Sequence, residues 1–129
     1  MQLQYQIEEG QGYLIAKVTG EWTLDAVQEL IDALAEDCRQ RNCKKLLADC
    51  MDVRVEGRML EFERFVAGRR VGSKLRHVKL AALFPGHQIN KFAESIAIAD
   101  GADLLVTSDR HEAIRWLMDG SVGEREAGL

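Results

Sequence analysis

One proline in 129 residues excludes a proline-rich linker, and no low-complexity stretch or internal repeat divides the chain. Three cysteines, Cys38, Cys43 and Cys50, are an odd number at spacings that match no zinc framework, so neither a disulfide scaffold nor a structural metal is expected. No apolar run approaches the ~20 residues a membrane-spanning helix requires, and the stretch from Leu80 is broken by Pro85 and Gly86. Met1 to Gln6 has neither the basic start nor the apolar core of a secretory signal, which puts the expected location in the cytoplasm. A surplus of positive charge is also missing, since 17 basic against 21 acidic residues make a net charge of −4 and argue against a nucleic-acid coat.

What is present is a hydrophobic fraction of 47%, enough at this length for one core and one domain, expected over residues 1–119 with 120–129 as a flexible tail. The charge is unevenly spread. From Arg54 to Lys79 eight Lys/Arg stand against three Glu, a surplus of +5 that leaves −9 on the remainder. Such a segment suits either a solvated helix face or a docking face for an acidic partner.

Leu3, Tyr5 and Ile7 alternate with polar residues, turn residues follow at Gly10 and Gly12, and Tyr13 to Val18 forms a second run, so the chain opens with a hairpin. Thr23 is placed to cap a helix whose apolar face is Val27, Leu30, Ile31, Leu34 and Cys38, with Arg39, Arg41, Lys44 and Lys45 in its last turn. Leu46 to Ala48 reads as a short strand ending in a loop from Asp49 to Arg58. Met59, Phe62, Phe65, Val66 and Arg69 suit a second helix closing near Gly72, and Val78 to Phe84 is a buried strand. Gln88 to Asp100 has helical spacing, Leu104 to Val106 is a last strand, and Ser108, Asp109 and Glu112 form a capping arrangement for a final helix. The expected fold is therefore α/β. It has a mixed, mostly parallel sheet of about five strands with an antiparallel N-terminal hairpin, flanked by four helices.

Three pieces in this order carry a family resemblance: Leu14 to Gly20 before an acidic helix, Lys79 to Phe84 before a helix containing Phe92-Ala-Glu94, and Asp109 to Leu117. The chain resembles a STAS domain of the SpoIIAA-like branch, the fold of anti-sigma-factor antagonists, from about Tyr13 to Met118. That resemblance implies a regulatory protein-interaction module without catalysis. It also implies a phosphorylatable serine at the start of the helix after the third strand. Here the sequence departs, because 49–72 contains no serine, threonine or tyrosine. The resemblance extends by fold analogy to lipid-binding modules.

Ligands of open parallel sheets sit beyond the carboxyl ends of the strands, so Asp49, Cys50, Asp52, His87, Asn90 and Ser108 form the candidate rim for a small lipid-like or anionic ligand. A catalytic use of the rim would make Cys50 the nucleophile, His87 its base and Asp49 the orienting acid, and ordinary core and capping roles compete with it. The preferred docking face for a protein partner is Arg54, Arg58, Phe62, Phe65, Arg69 and Arg70, where apolar and basic side chains alternate on one helix and the loop before it. Trp22 and Trp116 suit packing at element ends or partner anchoring. A homodimer is compatible with all of this, and no cofactor is expected.

Overall fold

The computed structural model describes residues 3–57, 59–89 and 91–119. The chain begins with β1 (Leu3–Glu9) and β2 (Leu14–Glu21), followed by α1 (Leu24–Arg41), β3 (Lys45–Arg54) and α2 (Glu61–Lys74). It continues through β4 (Lys79–Leu83), a 3-10 turn (Gly86–Gln88), α3 (Phe92–Ala99), β5 (Asp103–Thr107) and α4 (Arg110–Met118). Local chemistry sets several boundaries. The Thr23 hydroxyl accepts the Ala26 N–H at 3.1 Å, and Asn42 ends α1 in the left-handed region at φ 55°. Asp109 opens α4 by accepting the N–H groups of His111 at 2.9 Å and Glu112 at 3.2 Å. The Glu112 carboxylate takes the Thr107 hydroxyl instead of returning to the cap.

The sheet runs β1-β2-β3-β4-β5, with β1 antiparallel to β2 and every later neighbour parallel. Strand order advances in one direction, so right-handed crossovers put α1, α2 and α3 on the same face. There Ala16, Val18, Leu46, Ala48, Leu80, Ala82 and Leu104 pack against Val27, Leu30, Ile31, Leu34, Ala67 and Ala97. α4 returns across the other face, where Ala113 and Leu117 cover Leu47, Ala81 and Leu83. Lys79, only 8% exposed, crosses to the end of α4, where its ammonium hydrogen-bonds the carbonyls of Trp116 and Asp119 and lies 4.6 Å from the Trp116 ring centroid. A cation at a helix C-terminus satisfies the carbonyls left free there.

Three boundaries differ from the sequence reading. β3 extends to Arg54, because the strand carries a bulge: Lys17 pairs with Asp49 but Thr19 with Asp52, so Val18 faces two residues, Cys50 and Met51. The Met51 N–H released by the bulge is taken by the Asp49 carboxylate at 3.1 Å. The inserted residue reverses the in-out alternation, turning Val53 towards the core and leaving Asp52 exposed. Next, α2 closes near Gly72 as expected, but at Lys74, so the glycine is not its terminator. Gly68 and Gly72 lie inside it, where α3 comes so near that an added Cβ would meet Ala93 O at 2.6 Å and Asp100 Cβ at 2.5 Å. Finally, α3 starts at Phe92, after the separate 3-10 turn, and Lys44 and Lys45 lie beyond α1. The expected tail at 120–129 lies outside the described residues.

Candidate functional site

The extra length of β3 rearranges the expected rim. Cys50 is 5% exposed and belongs to the core beneath α1 to α3, and burial, helped by the Asp49 charge, pushes its thiol up to about 12. Asp49, one residue earlier on the strand, lies on the opposite face and binds Arg110 Nη1 at 2.8 Å. A Cys50 nucleophile with Asp49 behind its base is therefore not assembled. Asp52 is exposed beside β2, His87 is exposed in the 3-10 turn, and Ser108 is exposed after β5. Asn90 and Arg58 lie outside the described residues.

The basic segment finds its counter-charges in neighbouring elements. Arg54 Nη2 is 3.3 Å from Glu21 Oε1, and Arg69 Nε is 2.9 Å from Asp100 Oδ2. Arg70 forms a two-pronged contact with Asp32, Nε to Oδ1 at 2.9 Å and Nη2 to Oδ2 at 2.6 Å. All three acids come from outside 54–79, so the local surplus of five is partly neutralised by the acidic remainder of the molecule. These pairs join β2 to β3, α3 to α2 and α1 to α2.

The apolar part of the expected face has fewer partners. Leu60 is 64% exposed, Phe62 65% and Phe65 40%. Phe62 and Phe65 are three apart on α2 and share a side of it. Leu60 holds the N-cap position without a side-chain acceptor, and the Glu63 carboxylate takes its backbone N–H at 2.8 Å. The exposure of Leu60 escapes sequence reasoning because leucine at a helix start normally reads as the first core residue. Met59, its neighbour, is the residue that turns inward, at 8% exposure.

Between the sheet and α1 to α3 lies an apolar cavity of about 120 Å³. Trp22, Cys50, Met59, Gly68, Phe84 and Ile89 are among its walls, whereas Asp49, Asp52, His87 and Ser108 are not. The buried Trp22 Nε1–H has no hydrogen-bond partner among the described residues. An orphaned buried donor costs about 1–3 kcal/mol. The only sequence signal for it was a tryptophan directly before the capping threonine. No helix among the described residues is long and apolar enough to cross a membrane.

Neither a known family pattern nor a curated protein sequence matches this chain. Solved structures do match. An anti-sigma factor antagonist from Mycobacterium paratuberculosis superposes with TM-score 0.56 at 14% identity, covering 91% of this chain and 95% of that one. An uncharacterised protein from Shewanella loihica with a SpoIIAA-like fold gives 0.52 at 19% identity, covering 89% and 93%. The anti-sigma factor antagonist SpoIIAA in its unphosphorylated form gives 0.52 at 14% identity, with 98% of both chains covered. The chain thus has the SpoIIAA-like STAS fold, with the five-stranded mixed sheet expected from its sequence.

Proposed function

We propose that the chain is a cytoplasmic, non-catalytic interaction module that regulates a protein partner by docking it at the start of α2. The observation that carries this reading is the exposure of Leu60 and Phe62, at 64% and 65%, at the start of a helix whose Arg69 and Arg70 are held in ion pairs. Large apolar side chains at such exposure favour burial by a partner, and charged groups around them set its orientation. Two of the similar structures are anti-sigma factor antagonists, which supports a regulatory role. Residues 49–72, which include the start of α2, contain no hydroxyl, so the partner would be controlled without phosphorylation there.

The test is a cross-linking pull-down with wild type and the double variant Leu60→Asp/Phe62→Asp. Acidic residues at a helix start favour the helix, so the variant keeps its fold. We expect a stoichiometric partner that the variant loses. Equal capture by both would overturn this placement. A wild-type dimer that the variant converts to monomer would make the partner a second copy of the chain.

A second reading rests on the cavity and Trp22. An apolar cavity of about 150 Å³ holds benzene, so about 120 Å³ admits a ligand of that size, not a full acyl chain. The ligand would be apolar with one acceptor for the Trp22 N–H. In a Trp116→Phe background Trp22 is the one tryptophan, and red-edge excitation selects its emission over that of the tyrosines. Small aromatic ketones should then change its emission saturably, and an unchanged spectrum would dismiss the ligand.

A further inference from the structure

We propose that Cys38 and Cys43 form a peroxide-responsive dithiol, a modification site at the end of the sheet opposite the strand-end rim. The inference stands independently of the docking reading.

The geometry begins with the way α1 ends. The Asn42 N–H bonds the Arg39 carbonyl at 3.3 Å, and the Cys43 N–H reaches back to the Cys38 carbonyl at 2.8 Å. With Asn42 in the left-handed region, this termination folds the sixth residue's side chain onto the first. In most helices that contact is apolar. Here the two residues are cysteines, both free, so the same turn sets their side chains against one another, and the Cys43 thiol donates to the Lys45 carbonyl at 3.1 Å.

The two thiols are not equivalent. Cys38 is 4% exposed and packed in the core, whereas Cys43 is half-buried and lines a surface cleft of about 430 Å³ with Tyr13, Arg41 and Lys45. The Cys38 thiol set against Cys43, backbone hydrogen bonds from Lys45 and Leu14 and the Arg41 charge favour the thiolate. Together they outweigh desolvation and bring Cys43 down to about 7. Cys38 moves in the other direction, through the same contact, burial and the nearby Asp37 carboxylate. Accessible attacker and buried resolver are thereby assigned by position.

The oxidant is hydrogen peroxide. The Cys43 thiolate attacks the O–O bond, forming a sulfenic acid and releasing hydroxide, which leaves as water. The Cys38 thiol then attacks the Cys43 sulfur; the S–S bond forms, the sulfenic S–O bond breaks, and the Cys38 proton departs with the hydroxyl as a second water. Two thiols lose two electrons and one peroxide gains them. Disulfides of reducing compartments are characteristically transient and redox-sensing, as this one would be.

The experiment treats the full chain with one equivalent of hydrogen peroxide, denatures it, alkylates and digests with trypsin. Cleavage after Arg39 and Arg41 separates the two cysteines, so a disulfide appears as fragment 18–39 joined to 42–44, and dithiothreitol removes it. Cys50 should stay alkylatable. Cys38→Ser should leave a Cys43 sulfenate trapped by dimedone, and Cys43→Ser should react at neither position. Absence of the joined fragments in wild type, with Cys43 going on to sulfinic acid or Cys50 reacting first, would overturn the proposal whether or not either variant folds.

Discussion

Arg70 in α2 clasps Asp32 in α1 through two parallel hydrogen bonds, at 2.9 and 2.6 Å, and so ties two crossover helices together outside the core they share. The side chains are 35% and 40% exposed, so solvent screening keeps the contribution of the pair small. Hydrogen bonding to Arg70 lowers the Asp32 pKa. The contribution is therefore present above the ordinary carboxylate pKa and disappears as pH falls through the lowered one. A double-mutant cycle with Arg70→Met and Asp32→Asn, followed by urea unfolding, should show this coupling at pH 7 and none in strong acid.

Gly68→Ala and Gly72→Ala should each destabilise the protein, although alanine favours a helix interior by about 1 kcal/mol. The added methyl would push against Ala93 O or Asp100 Cβ at about 2.5 Å, forcing α2 and α3 apart. Overpacking of this kind costs about 1–3 kcal/mol. A fall in Tm is expected, and a rise would mean that the two helices can separate freely.

Leu60→Ser should act in the opposite direction. Leu60 already has the extended backbone of an N-cap, at φ −75° and ψ 151°, and Glu63 already accepts its N–H. Serine would complete the reciprocal pair by accepting from the third helical residue, for a gain of about 1 kcal/mol. The same change removes an exposed leucine from the proposed docking face, so partner capture should weaken as Tm rises.

Tyr5 donates its hydroxyl to Asp37, and burial, this hydrogen bond and the Asp37 charge raise its pKa to about 12. The phenol is thus held neutral in the fold. Stability from this shift is complete below pH 10 and is lost as pH rises through 12. Comparing urea midpoints of wild type and Tyr5→Phe across that window should reveal a difference that shrinks with alkalinity. A constant difference would contradict the hydrogen bond.

The sequence makes α1 legible because Val27, Leu30, Ile31, Leu34 and Cys38 repeat at helical spacing between a capping threonine and a basic last turn. β4 is equally plain, since Lys79 to Leu83 is buried throughout and stops short of Pro85. The bulge was not legible. Nothing in Asp49-Cys-Met-Asp signals a second in-out alternation, so Asp52 and Cys50 are read as neighbours on a loop when the strand separates them. Gly72 resembles a terminator for the same reason, because a glycine that ends a helix and one that admits another helix look alike in one dimension. The three arginine pairs of the basic segment depend on acids 31 to 38 positions away along the chain, and local charge counting cannot reach them.

Among the described residues α4 alone covers the second face of the sheet. Three crossovers cover the first face of the sheet as each strand is added, but Leu47, Ala81 and Leu83 wait for a helix made after all of them. Without Ala113 and Leu117 the finished sheet would present that bare apolar strip to water, the kind of surface that chaperones engage. A stop codon placed before α4 should therefore leave the chain bound to a chaperone, and a truncated chain recovered free of one would refute this.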